Sequence, residues 1–259
     1  MKDFIKENWV SWVLGAGSLI LVWIIWLVAS NSMQNQYVLP TVSQTLNALW
    51  VVLGEQFFYK ALSKTLLKVI YSVLISFVLA GALALLSKVV RRLDAFFAPI
   101  ISIIRTVPTM AILIIILLSS TRFVAPIIVA VLVLFPMMYK QFSTALNGID
   151  QGIINATKVF GLTKKQRIIK VYLPLVMPPI ILNVGSNLSF AIKLIISAEV
   201  MANVNTSIGG MMQGARTFDY ARLFALTLAS IIIGLLIEVV FHLVCKTLFK
   251  WNKKGATND

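Results

Sequence analysis

Long apolar runs, rather than the short alternations of a soluble domain, organise this chain. The first covers residues 9–29, and five more follow at 61–87, 95–118, 123–142, 175–197 and 221–248, each at least 20 residues long. At about 1.5 Å per residue, a helix of that length crosses a hydrocarbon core of about 30 Å. The pattern predicts an all-α integral membrane protein of six transmembrane helices. Lys2 and Lys6 precede the first run as in a signal sequence. The run is longer than a signal core and has no small-x-small cleavage site, so it reads as a retained helix. Residues 31–59 are mixed. After Leu39-Pro40 a helix is predicted over 41–58, in which Leu46, Leu49, Trp50 and Leu53 recur at helical spacing with Gln44, Asn47 and Glu55 between them. That is the pattern of an amphipathic helix lying on a membrane face or on the protein itself.

Composition agrees. Of 259 residues, 59% are hydrophobic and 12% charged, against roughly 25% charged in a soluble domain. The mean hydropathy is +0.91. So little charge cannot clothe a water-facing surface, and lipid must cover much of the molecule. The charge that remains is lopsided, with 23 Lys and Arg against nine Asp and Glu, a net +14. In a chain this apolar the excess reads as helix orientation and not as a nucleic-acid surface. With the N-terminus inside, the inner segments, including the tail with Lys250, Lys253 and Lys254, outnumber the outer ones in basic residues by roughly three to one. Both termini are therefore expected on the cytoplasmic side.

Several chemistries drop out. One cysteine, Cys245, excludes an intramolecular disulfide and a multi-cysteine metal site, and the single His242 lies three residues before it in the last apolar run. A zinc site normally needs three or four protein ligands, so both read as packed or interfacial side chains. Asp94, Asp150, Glu199, Asp219 and Glu238 are scattered, and no catalytic constellation is visible. The chain has no G-x-x-x-x-G-K-[ST] loop, so it does not hydrolyse ATP by that route. Lys64 and Lys68, four residues apart near the outer end of the second run, read as a snorkelling pair. Met201, Met211 and Met212 read as adaptable packing.

The longest basic inner segment, residues 140–172, is the most informative. Gly148, Gly152 and Gly161 punctuate it. A short helix is predicted from Asp150, whose carboxylate suits a helix start, to Phe160, with Ile153, Ile154, Thr157 and Phe160 on one face. Gly161 suits a left-handed stop. Thr163 caps a second, basic helix, and Pro174 marks re-entry into the membrane. Such a knob can slot into a groove on a cytoplasmic partner, although an ordinary positive-inside loop would also be basic.

The spacing resembles the EAA loop of ABC importer permeases: E-A-A, three residues, G, nine residues, I-x-L-P. Asn155, Ala156 and Thr157, then Gly161, then Val171, Leu173 and Pro174 occupy those positions without insertion. Asn155 replaces the usual Glu, Thr157 the second Ala and Val171 the Ile. The chain is similar to the binding-protein-dependent (MetI-like) superfamily, and within it to nitrate, sulfonate and taurine-type permeases. Tyr37-Val38-Leu39-Pro40, Arg105-Thr106-Val107-Pro108, Phe135-Pro136, and Ala198-Glu199 followed by Ser207-Ile208-Gly209 resemble elements of those permeases. Their Gly-Leu-Gly is here Ser-Ile-Gly, and their glycine-bearing turn between spans three and four is replaced by Ser119-Ser120-Thr121-Arg122.

The resemblance implies a type I importer core of five helices over residues 60–248, after an N-terminal part (1–59) and before a cytoplasmic tail (249–259). It implies a non-enzymatic permease in the cytoplasmic membrane, with two ABC ATPase subunits carrying ATP and Mg, a second permease copy as a homodimer, and an extracytoplasmic substrate-binding protein. The chain itself would hold no cofactor. The coupling helix with Asn155, Ala156, Thr157, Phe160, Gly161, Leu162 and Thr163 would dock the ATPase. Arg105, Lys193 and Glu199 would line the path of a small anion such as a sulfonate or nitrate. Otherwise Arg105 and Lys193 snorkel, pair with Glu199 or Glu238, or cap carbonyls beside Pro108. A secondary transporter would show repeated halves, and none is apparent. A membrane scaffold that docks an ATPase without transporting is the other alternative.

Overall fold

The computed structural model describes residues 2–32, 39–217 and 219–248. Tyr37, Val38 and the basic tail lie outside them. The described residues are helical and contain no strand: α1 (Lys2–Ser32), α2 (Val42–Gly54), α3 (Gln56–Val89), α4 (Arg91–Thr106), α5 (Thr109–Ser119), α6 (Ala125–Asn147), α7 (Gln151–Val159), α8 (Lys164–Arg167), α9 (Leu173–Ala202), α10 (Ile208–Ala215) and α11 (Tyr220–Leu248). Five of these are long and apolar enough to cross a membrane, and the α4–α5 pair supplies a sixth when counted as one span.

That pair is broken at the Arg105-Thr106-Val107-Pro108 element, where the family resemblance implied a turn. The run bends by 94° between Thr106 and Thr109. Pro108 lacks the N–H that would continue the ladder, and its ring pushes the preceding residue out of the helical region. Val107 accordingly sits at φ −69°, ψ 130°.

The chain forms two compact units. One comprises residues 1–58 and 211–229. Within it Thr41 caps α2 and forms a reciprocal capping box with Gln44. Trp26 of α1 donates its indole N–H to the Pro40 carbonyl at 3.2 Å, and Arg222 pairs with Glu55 at 2.6 Å. α2 is amphipathic as expected, but its buried residues are Val42, Thr45 and Val52. Leu46 and Trp50 are exposed, apolar side chains suited to contact with lipid.

The other unit comprises residues 59–210 and 230–259. α6 and α9 form its central pair. α3 buries a face of small residues, Ala61, Thr65, Ser72, Ser76, Ala80 and Ala84, which lets helix backbones approach closely. Ser72 and Ser76 reach the Ile127 and Val131 carbonyls of α6 at 3.5 Å. Apolar side chains of α3, α6 and α9, among them Val73, Met138, Phe142, Val176 and Ile195, fill the core. A π-helical turn, Ile168–Tyr172, leads from α8 into α9.

Candidate functional site

The segment between α6 and α9 folds as a knob. Asp150 caps α7 by accepting from the Gly152 N–H. Ile154 and Thr157 are buried, and Thr157 ties its hydroxyl to the Ile154 carbonyl at 2.7 Å. These two seat α7 on the core. Gly161 takes φ +66°, a left-handed conformation that costs a side-chain-bearing residue roughly 1–2 kcal/mol. The turn closes with the Leu162 N–H on the Thr157 carbonyl. Thr163 then caps α8 in a second capping box, with Gln166. The T-x-x-Q pattern was readable in the chain.

One expectation needs correction. Ile153 and Phe160, expected on one face with Ile154 and Thr157, do not share the burial of those two: Ile153 is exposed. Phe160 is 80% exposed and Val159 85% exposed. The knob thus presents an apolar tip beside exposed Asn155, Ala156 and Gly161. An aromatic ring held out on a capped, glycine-terminated helix contributes nothing to this chain's own packing.

A second feature was misread from the pattern. Lys68 does not snorkel. Its ammonium contacts Glu199 Oε1 at 2.6 Å, and neither side chain reaches solvent. Thr65, one turn earlier on α3, shares its hydroxyl between the two Glu199 oxygens at 3.1 and 3.0 Å. The Gly209 N–H donates to Oε2 at 3.2 Å and the Ile208 N–H to the Thr65 hydroxyl at 3.1 Å. The Phe123 ring lies 5.0 Å from the ammonium. The network binds α3, the end of α9 and the start of α10. It explains Gly209: a Cβ there would overlap that of Glu199 and stand 2.7 Å from the Ile196 carbonyl oxygen. The i, i+3 spacing of Thr65 and Lys68 was the available signal, but the partner 131 residues away was not.

The proposed path residues separate accordingly. Glu199 is enclosed and saturated with donors. Lys193, on the same helix, is exposed. Arg105 lines a cavity of about 420 Å³ together with Lys140, Gln141, Thr109, Pro136 and Phe190. Gln141 exchanges two amide hydrogen bonds with Asn187 of α9, at 3.1 and 3.0 Å. Among the described residues no carboxylate lies within ion-pair distance of Arg105, Lys140 or Lys193. Glu238, another expected partner, instead accepts from Ser186 at 2.6 Å. Arg105 and Lys140 therefore face one space with their charges unpaired.

Comparison with known proteins places this geometry. Residues 72–250 match the family model described as "Binding-protein-dependent transport system inner membrane component". The chain belongs to that family. As such a permease it is a multi-pass membrane protein of the ABC transporter class. The Bacillus subtilis (strain 168) protein SsuC, named for aliphatic sulfonates transport, is 25% identical over 255 residues, covering 95% of this chain and 89% of its own length. The glycine betaine/proline betaine permease ProW of Escherichia coli (strain K12) is 26% identical over 123 residues, 47% of this chain and 33% of ProW. Among solved structures, a bacterial ABC transporter importing alginate aligns with TM-score 0.66 at 15% identity, over 95% of this chain and 98% of that one. An inward-facing MetNI methionine transporter aligns with TM-score 0.63 at 19% identity, over 73% and 94%. At such identities these two establish the fold alone. The type I importer permease fold is thus the family's, and the knob of α7 is the segment between its central helices.

Proposed function

We propose that this permease carries a small anion of the sulfonate or nitrate kind into the cytoplasm, driven by a separate ATPase that grips the knob at Asn155, Ala156, Phe160, Gly161, Leu162 and Thr163, while buried Thr157 seats the knob on this chain's own core. The observation that carries the reading is the exposed Val159–Phe160 tip. It is apolar, ordered by caps on both sides, and unused by the chain's own core. A groove on a partner would bury it, and burial of an aromatic side chain supplies about 1.5–3 kcal/mol. The basic excess of the segments around α7 puts the knob and both termini on the cytoplasmic side.

Energy would enter as follows. Two permease copies and two ATPase subunits form the pump, with ATP and Mg held by the ATPases. Closure of the ATPase dimer moves α7. Because Ile154 is part of the core of α3, α6 and α9, the pull passes to those helices, and the path switches from inward-open to outward-open. An extracytoplasmic binding protein delivers the solute, which passes unchanged. Arg105 and Lys140 support an anionic cargo: two unpaired cations facing one cavity favour negative charge there. Lys193 adds a third cation on α9. Glu199 acts differently, by holding the α9–α10 turn through the Gly209 N–H and tying it to α3 through Lys68. The name of SsuC is consistent with a sulfonate cargo.

The test is co-purification of the permease with an ABC ATPase from the same organism, co-expressed with it. The wild-type chain should retain the ATPase. Val159→Asp with Phe160→Asp should lose it while the permease stays folded, as read by size-exclusion profile and thermal melt. Retention of the ATPase by the double variant would remove α7 as the docking element. Anion-stimulated ATP hydrolysis in vesicles containing the whole complex separates a transporter from a scaffold.

A further inference from the structure

We infer that Lys88, Lys164 and Arg167 form a binding site for the phosphate of an anionic phospholipid headgroup. The site lies at the junction of the α3 end with α8 and the π-helical turn that leads into α9, and it is independent of whether α7 docks an ATPase. A cavity of about 90 Å³ is lined by Lys88 and Val89 of α3, by Lys164 and Arg167 of α8, and by Tyr172. Three cations face a space large enough for one headgroup anion. Among the described residues none of the three has a carboxylate within ion-pair distance. Asp94 lines a separate cavity with Lys88, and its carboxylate accepts from the Tyr139 hydroxyl at 2.6 Å. Lys88 makes one hydrogen bond, to the Asn147 side-chain oxygen at 3.1 Å.

The second observation is an unmet donor. The Arg167 Nε is fully buried and has no hydrogen-bond partner. A buried unpaired donor on a charged group costs free energy, and although the Nε itself is closed to solvent, an anion held against the rest of the guanidinium in the cavity would offset part of that cost. A phosphate supplies several oxygens, and guanidinium and ammonium groups together suit it.

Position favours a lipid over free phosphate. Lys88 closes the apolar helix α3, and Tyr172 stands where the chain turns into apolar α9. The neighbouring residues Leu86, Val90, Ile169 and Leu175 are apolar and exposed. A headgroup in the cavity would have such surfaces beside it for its acyl chains. Basic pockets between helices at the end of the membrane span have this use.

Native mass spectrometry of the full-length permease, released from detergent, tests the site. The probes are phosphatidylglycerol, phosphatidylcholine with the same acyl chains, and inorganic phosphate. The wild type should hold one phosphatidylglycerol about tenfold tighter than phosphatidylcholine. Lys164→Gln with Arg167→Gln should lose on the order of tenfold in phosphatidylglycerol affinity. Lys164→Gln alone, on an exposed residue, should lose part of that and guards against a folding defect in the double variant. Lys165→Gln, a cation of the same helix that does not line the cavity, should bind as the wild type does. Equal binding of the two lipids, an unchanged double variant, or an equal loss in Lys165→Gln would each overturn the site. Displacement of the lipid by millimolar inorganic phosphate would overturn the assignment to a lipid headgroup.

Discussion

Lys68 and Glu199, 131 residues apart on α3 and α9, meet at 2.6 Å with no solvent at either side chain. Charges enclosed in this way hold together only as a pair. Removing one partner leaves the other buried and uncompensated, which costs about 3–5 kcal/mol. Lys68→Met and Glu199→Gln should each lower the melting temperature of the detergent-solubilised permease markedly. The double change Lys68→Met with Glu199→Gln should recover much of that loss, because neither side chain then carries a buried charge and the Gln oxygen can still accept from Thr65 and the Gly209 N–H. A double variant no more stable than the singles would show that the ionic pair itself, and not its completeness, holds the turn.

Gly209 stands where the same network leaves no room. Gly209→Ala would press a methyl group against Glu199 and the Ile196 carbonyl. It should destabilise the protein by about 1–3 kcal/mol, the range of overpacking. Gly214→Ala is the control: nothing lies within 4 Å of its Cβ position. In a helix that change is neutral or stabilising by up to about 1 kcal/mol. Thermal melts of the two variants, side by side, check the contrast.

Gly161 turns the knob at φ +66° in open space. Space is therefore not the obstacle to a side chain there; backbone strain is. Gly161→Val should cost about 1–2 kcal/mol at the turn and uncouple ATP turnover from uptake. Gly161→Asn should be much milder, since Asn tolerates the left-handed region. Uptake and ATP hydrolysis measured in the same vesicles test the pair. Full coupled transport by Gly161→Val would argue against a docking geometry that depends on this turn.

Arg105 and Lys140 face a common cavity without a carboxylate between them. If an anion passes there, Arg105→Gln should reduce uptake of a sulfonate by about 10- to 100-fold. That corresponds to one charge-assisted contact of about 1.5–3 kcal/mol. Lys140→Gln should add to the loss, and Arg105→Lys should retain part of the function. Uptake unchanged in the Arg105→Gln, Lys140→Gln double variant would place the path elsewhere. The permease should remain folded in all three, because neither side chain is buried.

The local devices of this protein were present in its sequence. Apolar runs long enough to span a bilayer, the Asp150 and Thr163 caps and the left-handed stop at Gly161 depend on residues within a turn or two of each other. Their physics is complete before the chain folds. The knob could thus be read directly, apart from which of its apolar residues faced outward. The bend at Pro108 was also local, but hydropathy does not register a missing N–H, so the turn was legible only through the family resemblance.

What only the tertiary structure decided is where charge went. A lysine near the end of an apolar run can reach toward water, or it can turn inward to meet a carboxylate. The choice for Lys68 rests on Glu199, Thr65 and the Gly209 N–H arriving at one point from three segments. Arg105 and Lys140 share a cavity because α4 turns at Pro108 and α6 passes beside it. Lys88 joins Lys164 and Arg167 because α3 ends where α8 begins its approach to the membrane. Hydrophobic burial is nearly independent of partner, so pattern suffices for it. A buried charge is stable only beside particular partners in a particular geometry, and that geometry exists only once the helices have packed.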